Sequence, residues 1–327
     1  MQKVALVGCG FMGRMHANVY RLLANAELVA VIDHRAERAQ KFAAEFGVPH
    51  FENLDTALEA LECEVVDVCL PTHLHKDFAL LGLARGKHVF CEKPMALSVE
   101  DAESMIEASK EAGKRLMIGH CIRFWPEYVH LQELVTNRSL GGLLSLNLTR
   151  YGEFPSWASD NWMANENNTG GGALDMHIHD TDYALFLLGT PGEICSFGTV
   201  DARGCSQIFT TLQYDDCVVH LEGGWNLPPK TPFKMAFRAI FEKGAAIMDG
   251  GPMTVYPTDG DPYVPEFPRM EASGGGNISD LGGYYRELEY FIDCLESDRP
   301  TALCTPESSR DSLKTTLEEI RQVKSRL

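Results

Sequence analysis

Lys93, Asp175 and His179 are the side chains whose types and spacing suit chemistry on an oxygen atom. Lys93 lies in Glu92-Lys93-Pro94, at the close of the apolar run His88-Val89-Phe90-Cys91, which reads as a buried parallel strand. A lysine there can donate a hydrogen bond to a substrate oxygen. The proline bends the chain away, and the carboxyl end of such a strand is where open α/β sheets bind ligands. Asp175 and His179 form an Asp-x-x-x-His pair behind Gly170-Gly171-Gly172, a glycine run suited to close approach of backbone to ligand. A helix beginning near Asp175 puts Asp175, His179 and Asp182 on one face, with His177 and Asp180 elsewhere. A histidine beside a carboxylate has the parts of a general base. Metal ligation by Asp175, His177, His179, Asp180 and Asp182 is the competing reading. No single helical face collects both histidines, so the expectation is no metal. The plainest alternative makes Asp175 a helix cap and His179 a surface residue.

The elements that must position these groups begin with a nucleotide-binding signature. Gly8-Cys9-Gly10-Phe11-Met12-Gly13 follows a first strand at 4–7 and opens a helix. Gly8 permits the tight turn, Gly10 lets backbone approach a pyrophosphate, and Gly13 allows close helix–strand packing. The amides at Phe11 and Met12 lie at a helix start that can bind phosphate. Asp33 closes the second strand, where a carboxylate can hold a ribose diol. It repels a 2′-phosphate, so NAD is the expected cofactor; His34, Arg35 and Arg38 leave NADP as the alternative. Pro71, Thr72 and His75 fall on the same carboxyl edge as Glu92 and Lys93 and are expected beside the cofactor. Capping by Thr72 and solvent-facing histidines is the other reading.

Strands at 4–7, 28–32, 65–70, 87–91 and 115–118 alternate with helical patterns at 14–23, 37–46, 76–85 and 99–112, which implies a doubly wound parallel sheet. Beyond Gly119 the pattern changes. An amphipathic helix at 125–137 precedes strand-like runs without helices between them, which read as a large, mostly antiparallel, open-faced sheet. Two helices follow. The expected division is a Rossmann domain over 1–120 and a substrate-binding and oligomerisation α+β domain over 121–327. The segment 153–168 carries Trp157, Trp162 and several asparagines, whose aromatic faces and amides suit a sugar or polyol. Filling a crevice beneath a long loop is as good a reading of the tryptophans.

The balance of 29 Lys and Arg against 46 Asp and Glu, net −17, opposes nucleic acid and anionic membranes as partners. No apolar run reaches the ~20 residues of a membrane span, and the first residues lack a signal-peptide layout. Ten cysteines contain no Cys-x-x-Cys pair and read as free thiols of a reducing, cytoplasmic setting.

Taken together, the glycine signature, Thr72 and His75, Glu92-Lys93-Pro94, Arg123-Phe124, the run 170–182 and the closing Tyr285-Arg286-Glu287 resemble the glucose–fructose oxidoreductase / inositol dehydrogenase / MocA family of NAD(P)-dependent dehydrogenases. The resemblance implies that Lys93, Asp175 and His179 act on a substrate carbinol, with Arg123 near the cofactor and His120 near the substrate. It implies hydride transfer on a sugar, inositol or related polyol, and a homodimer or homotetramer joined through the C-terminal sheet. His177 and His120 depart from the family pattern. An NADPH-dependent reductase of a keto or imino substrate and a catalytically silent NAD-binding sensor are the alternatives.

Overall fold

Residues 1–156, 158–268 and 281–326 are described by the structure, a computed structural model. The first part alternates strand and helix: β1 (Gln2–Val7), α1 (Phe11–Tyr20), β2 (Ala26–Ile32), α2 (Ala36–Phe46), β3 (His50–Phe51), α3 (Leu54–Ala60), β4 (Val65–Val68), α4 (His75–Ala84), β5 (His88–Glu92), α5 (Val99–Ala112) and β6 (Leu116–Gly119). Every pairing is parallel, in the order β3-β2-β1-β4-β5-β6. This is the expected Rossmann sheet, with Val4, Leu6, Val65, Val66, Val89 and Phe90 fully buried between helical layers. The α3 helix and the two-residue β3 have too little periodicity to be read from sequence. The one local signal was Asn53, whose side chain accepts from Asp55 N at 2.8 Å and Thr56 N at 3.3 Å.

The second part comprises α6 (Pro126–Asn137), β7 (Leu143–Glu153), α7 (Glu166–Thr169), a π turn at Ala173–His177, α8 (Ile178–Leu188), and strands β8 (Glu193–Asp201), β9 (Gly204–Gln213), β10 (Val218–Leu227), β11 (Lys234–Phe241), β12 (Gly244–Asp249) and β13 (Thr254–Pro257). Their sheet runs β13-β12-β11-β7-β10-β9-β8. It is antiparallel except where β10 pairs with β7. One face is packed: Val219, Leu221 and Trp225 of β10 are buried, and Tyr128 of α6 meets Phe237 of β11 edge-on. The other face is open. Phe197 of β8 and Phe209 of β9 are paired on it and stay 55% and 39% exposed.

The chain does not divide as its sequence pattern suggests. One compact unit is Met1–Phe124 with 281–310; the other is Trp125–Pro268 with 311–326. The helix α9 (Gly282–Glu296) therefore returns to the Rossmann unit instead of completing a second domain over 121–327. Its Leu288, Phe291 and Ile292 join a core with Val4, Met15, Val19, Phe90 and Met117. Burying each such side chain contributes ~1.5–3 kcal/mol. The last helix, α10 (Pro306–Lys324), contains the division point. None of the ten cysteines forms a disulfide. Among the described residues no helix is long and apolar enough to cross a membrane.

His88, at the start of β5, gives this unit an acid-sensitive joint. Its Nδ1 accepts the Arg115 main-chain N–H at 3.0 Å. Burial first, then the Lys114 and Arg115 charges, push its pKa down to about 4. Because the folded value lies below the unfolded one, stability is intact above about pH 6.5 and declines as pH falls towards 4. The His88→Asn variant, which keeps an acceptor without a titrating ring, should flatten that decline in pH-dependent urea melts. The change in slope is bounded at about 1.4 kcal/mol per pH unit for one proton. An unchanged slope would show that His88 stays solvated.

Candidate active site

The phosphate-binding turn is built by steric limits. Gly8 has φ +104°, and a Cβ there would lie 2.3 Å from the Cys69 carbonyl oxygen. A Cβ on Gly13 would lie 1.9 Å from the Gly8 carbonyl oxygen, so α1 can enter against β1 only with glycine at that position. At Gly10 a Cβ would meet nothing within 4 Å. The backbone before α1 therefore faces open space, with Phe11 and Met12 half-buried beside it. These features fit a dinucleotide pyrophosphate at a helix N-terminus.

Asp33 ends beyond β2 and is 2% exposed. Its Oδ2 accepts Cys9 N–H at 3.0 Å, and its Oδ1 accepts Arg35 N–H at 3.0 Å. Arg38 lies 2.6 Å from Oδ2. Burial pushes the carboxyl pKa up, but Arg38 and the two amides outweigh it and hold the group below the usual carboxylate range. Asp33 thus also fastens the glycine turn, a role that sequence spacing does not convey. His34 is exposed, its ring 3.6 Å from Asp33.

Three residues expected beside the cofactor are turned inward instead. His75 is buried, with Nδ1 2.8 Å from the Pro94 carbonyl and Nε2 2.7 Å from that of Leu70. Burial lowers its pKa against the pull of those carbonyls. It is neither solvent-facing nor on the open edge; it braces the Lys93–Pro94 turn, whose peptide is cis. Glu92 is buried because its Oε1 lies 3.1 Å from His16 Nε2. Arg123 is buried, its guanidinium donating to Leu303 O and Ser308 Oγ, both at 3.0 Å. Pro71 precedes a short 3-10 turn, Thr72–Leu74, and Thr72 is buried. His120, expected at the substrate, is 1% exposed. Lys93 itself is half-buried, and its main-chain N–H donates to Glu92 Oε2 at 3.1 Å.

In the second unit, Asp175 lies in the π turn and His179 in the first turn of α8; both are part-exposed. Single π turns recur at functional sites. Asp182, expected on the same face, is instead fully buried and accepts Ser312 Oγ–H at 2.7 Å. Its neighbours behave alike: Asp180 accepts from Arg150 at 2.8 Å, and Thr181 donates to Glu319 at 3.0 Å. His177 is fully buried, Nε2 3.2 Å from Glu319 Oε2. The triple glycine serves packing as much as ligand access. A Cβ on Gly172 would lie 2.8 Å from the Trp225 ring, and one on Gly223 would lie 2.7 Å from His177. Trp162 is half-buried in a 3-10 turn at Ser159–Ala164, while Trp157 lies outside the described residues.

A buried polar cluster centred on His16 and Asp67 has no counterpart in the sequence reading, although Glu92 and Glu287 of its rim do. His16 Nδ1 is 2.8 Å from Asp67 Oδ2, Tyr20 Oη donates to the same oxygen at 2.9 Å, and Cys69 Sγ is 3.1 Å from His16. Glu287 of α9 completes it, fully buried. His16–Asp67–Cys69 and His16–Glu92–Glu287 each have ligating atoms within 4.8 Å of one another. The available signal was Asp67 in the middle of an otherwise apolar strand.

Comparison with known proteins follows the same two-part layout. Residues 2–120 match the model of the GFO/IDH/MocA oxidoreductase family with NAD-binding Rossmann fold, and residues 128–247 match that family's C-terminal domain. Glucose-6-phosphate 3-dehydrogenase of Bacillus subtilis is 34% identical over 57% of this chain and 54% of its own length. Myo-inositol 2-dehydrogenase of Thermotoga maritima is 30% identical over 57% of this chain and 55% of its own length. The matched region thus spans little more than half of these relatives. Among solved structures, UDP-N-acetylglucosamine 3-dehydrogenase of Acidithiobacillus ferrooxidans superposes with TM-score 0.81 at 23% identity, over 99% of this chain and 98% of its own. The WlbA dehydrogenase of Bordetella pertussis, in complex with NADH and UDP-GlcNAcA, superposes with TM-score 0.83 at 19% identity, over 100% and 96%.

Arg38 places a guanidinium on the carboxylate that would otherwise repel a 2′-phosphate. Wild-type protein should bind NADH more tightly than NADPH, and Arg38→Ala should widen the gap roughly three- to tenfold, about 0.7–1.4 kcal/mol. Fluorescence titration of both nucleotides reads it. A gap that narrows would mean that Arg38 serves only to order Asp33.

Proposed function

From the premise that the chain belongs to the GFO/IDH/MocA oxidoreductases, we propose that it oxidises a secondary alcohol of a sugar, inositol or related polyol, or runs the reverse reduction. NAD is the cofactor; NADP is the weaker choice. The observation that carries this reading is the open backbone at Gly10 before α1, in a chain that also supplies Asp175 and His179 on a part-exposed π turn. A nicotinamide dinucleotide held at the glycine turn of Gly8, Gly10 and Gly13 and by Asp33 would supply the hydride acceptor for the carbinol carbon. His179 removes the hydroxyl proton as the base. Lys93 hydrogen-bonds the same oxygen and stabilises charge developing on it. Asp175 orients the His179 ring or binds a neighbouring hydroxyl. Trp162 offers an aromatic face to sugar C–H groups.

The chain assembles as a homodimer or homotetramer through the open face of the second sheet, where the exposed Phe197–Phe209 pair supports an apolar contact. A reducing, cytoplasmic setting agrees with ten cysteines outside any disulfide.

Two relatives named 2,7-anhydro-N-acetylneuraminate hydratase, at 29% and 32% identity, make net nicotinamide reduction the decisive readout. Purified protein should reduce NAD with at least one of glucose 6-phosphate, myo-inositol or UDP-N-acetylglucosamine, seen as nicotinamide absorbance. Binding of NADH without turnover of any sugar, inositol or keto analogue would favour a silent sensor. With the active substrate, His179→Asn should abolish turnover and leave NADH affinity intact. Lys93→Ala should lower kcat by the ~3–4 kcal/mol typical of losing an oxygen-directed donor. A loss below about tenfold, ~1.4 kcal/mol, would make Lys93 a structural residue.

A further inference from the structure

The buried cluster around His16 contains more ionisable groups than packing requires, and its geometry leads to Lys93. His16, on α1, has both ring nitrogens on carboxylates: Nδ1 at 2.8 Å from Asp67 of β4, and Nε2 at 3.1 Å from Glu92 at the end of β5. Glu92 uses its other oxygen on the main-chain N–H of Lys93, at 3.1 Å. One residue further, the Pro94 carbonyl is held by the buried His75 ring at 2.8 Å. The peptide that enters Lys93 and the one that leaves Pro94 are therefore both held from inside the protein.

We propose that His16 is a positioning residue for Lys93: bridging Asp67 and Glu92 as a buried imidazolium, it holds the Glu92 carboxylate on the Lys93 amide and so fixes where the ammonium is presented. The inference rests on the reading of Lys93 as the oxygen-directed donor.

The charge balance supports it. Two carboxylates buried beside a neutral ring would leave negative charge uncompensated, which is strongly unfavourable in a low-dielectric interior. A ring that donates from both nitrogens satisfies both carboxylates. The groups around His16 are Tyr20 on its own helix, Asp67 on β4 and Cys69 just beyond it, Glu92 at the end of β5 with Lys93 after it, and Glu287 on α9. Burial alone would lower the His16 pKa, but Asp67 and Cys69 outweigh it and raise it well above the ordinary value. Burial and then the Glu92 charge push the Glu287 carboxyl pKa upward, which favours its neutral form. The edge of the Phe90 ring packs on His16 with centroids 5.6 Å apart, sealing the ring from water.

The test compares wild type with His16→Asn, which cannot bridge two carboxylates, and reads hydrogen exchange, cofactor affinity and turnover together. Amide exchange over 92–95 should accelerate about tenfold or more while β6 keeps its protection. NADH affinity should hold within about threefold, and kcat on the substrate found active above should fall about tenfold or more, with KM little changed. Unchanged exchange at 92–95, or equal acceleration throughout the sheet, overturns the proposal. Lys93→Met separates the two claims: if it retains turnover, the reading of Lys93 fails, whereas the exchange result for His16 stands or falls on its own. If His16→Asn does not fold, nitrogen-15 NMR of the wild-type ring decides. Both nitrogens should still carry protons well above the pH at which an ordinary imidazole loses one. A ring that titrates near its ordinary value, or a stoichiometric metal ion in the purified protein, contradicts the imidazolium bridge.

Discussion

The Rossmann unit depends on how closely its first helix can approach its first strand. Gly13 lies almost on the Gly8 carbonyl, and Gly8 in turn lies against the Cys69 carbonyl of the neighbouring strand end. A single methyl group at either position would push α1 outward. That closeness has two consequences. It aims the first amides of the helix at the space before Gly10, where a phosphate can be held. It also lowers His16, one turn along the helix, to the level of Asp67 and Glu92. The geometry that binds a dinucleotide and the geometry that orders the Lys93 turn arise from the same packing contact.

The second unit solves a similar problem with different parts. The π turn at Ala173–His177 lies directly on β10, because Gly172 leaves room for Trp225 and Gly223 leaves room for His177. Three consecutive polar residues, Asp180, Thr181 and Asp182, then fasten α8 through Arg150, Glu319 and Ser312. With these groups committed inward, Asp175 and His179 are the part-exposed titratable groups of the segment 175–182.

Where sequence and structure agree, the signal is local. The order glycine turn, helix, strand, Asp33 lies within one βαβ unit, and strand–helix alternation gave the parallel sheet. Where they part, the cause is distant in sequence. Glu287 and the apolar stripe of α9 return to the Rossmann core from the far end of the chain, which no break in composition near Gly119 announces. A helical wheel puts Asp182 beside His179, both in α8, but it does not show the Ser312 hydroxyl that Asp182 meets in the buried interior. His75 and Glu92 are expected at the open edge because they follow or close strands, and Arg123 beside the cofactor because of the family resemblance. Spacing cannot tell which way such a side chain turns, and buried carbonyls, an imidazole and the Leu303–Ser308 segment turned these three inward. Legibility therefore ends where a polar side chain finds a buried partner outside its own element.

Label transfer tests the central claim most directly. Glucose 6-phosphate or myo-inositol carrying deuterium on its carbinol carbons is incubated with the protein and NAD, and the recovered nicotinamide is examined by mass spectrometry and NMR. Hydride transfer from a secondary alcohol predicts one deuterium in NADH, on one face of the ring, with a slowed rate. Turnover of the sugar with unlabelled NADH, or with the deuterium released to water, would contradict it.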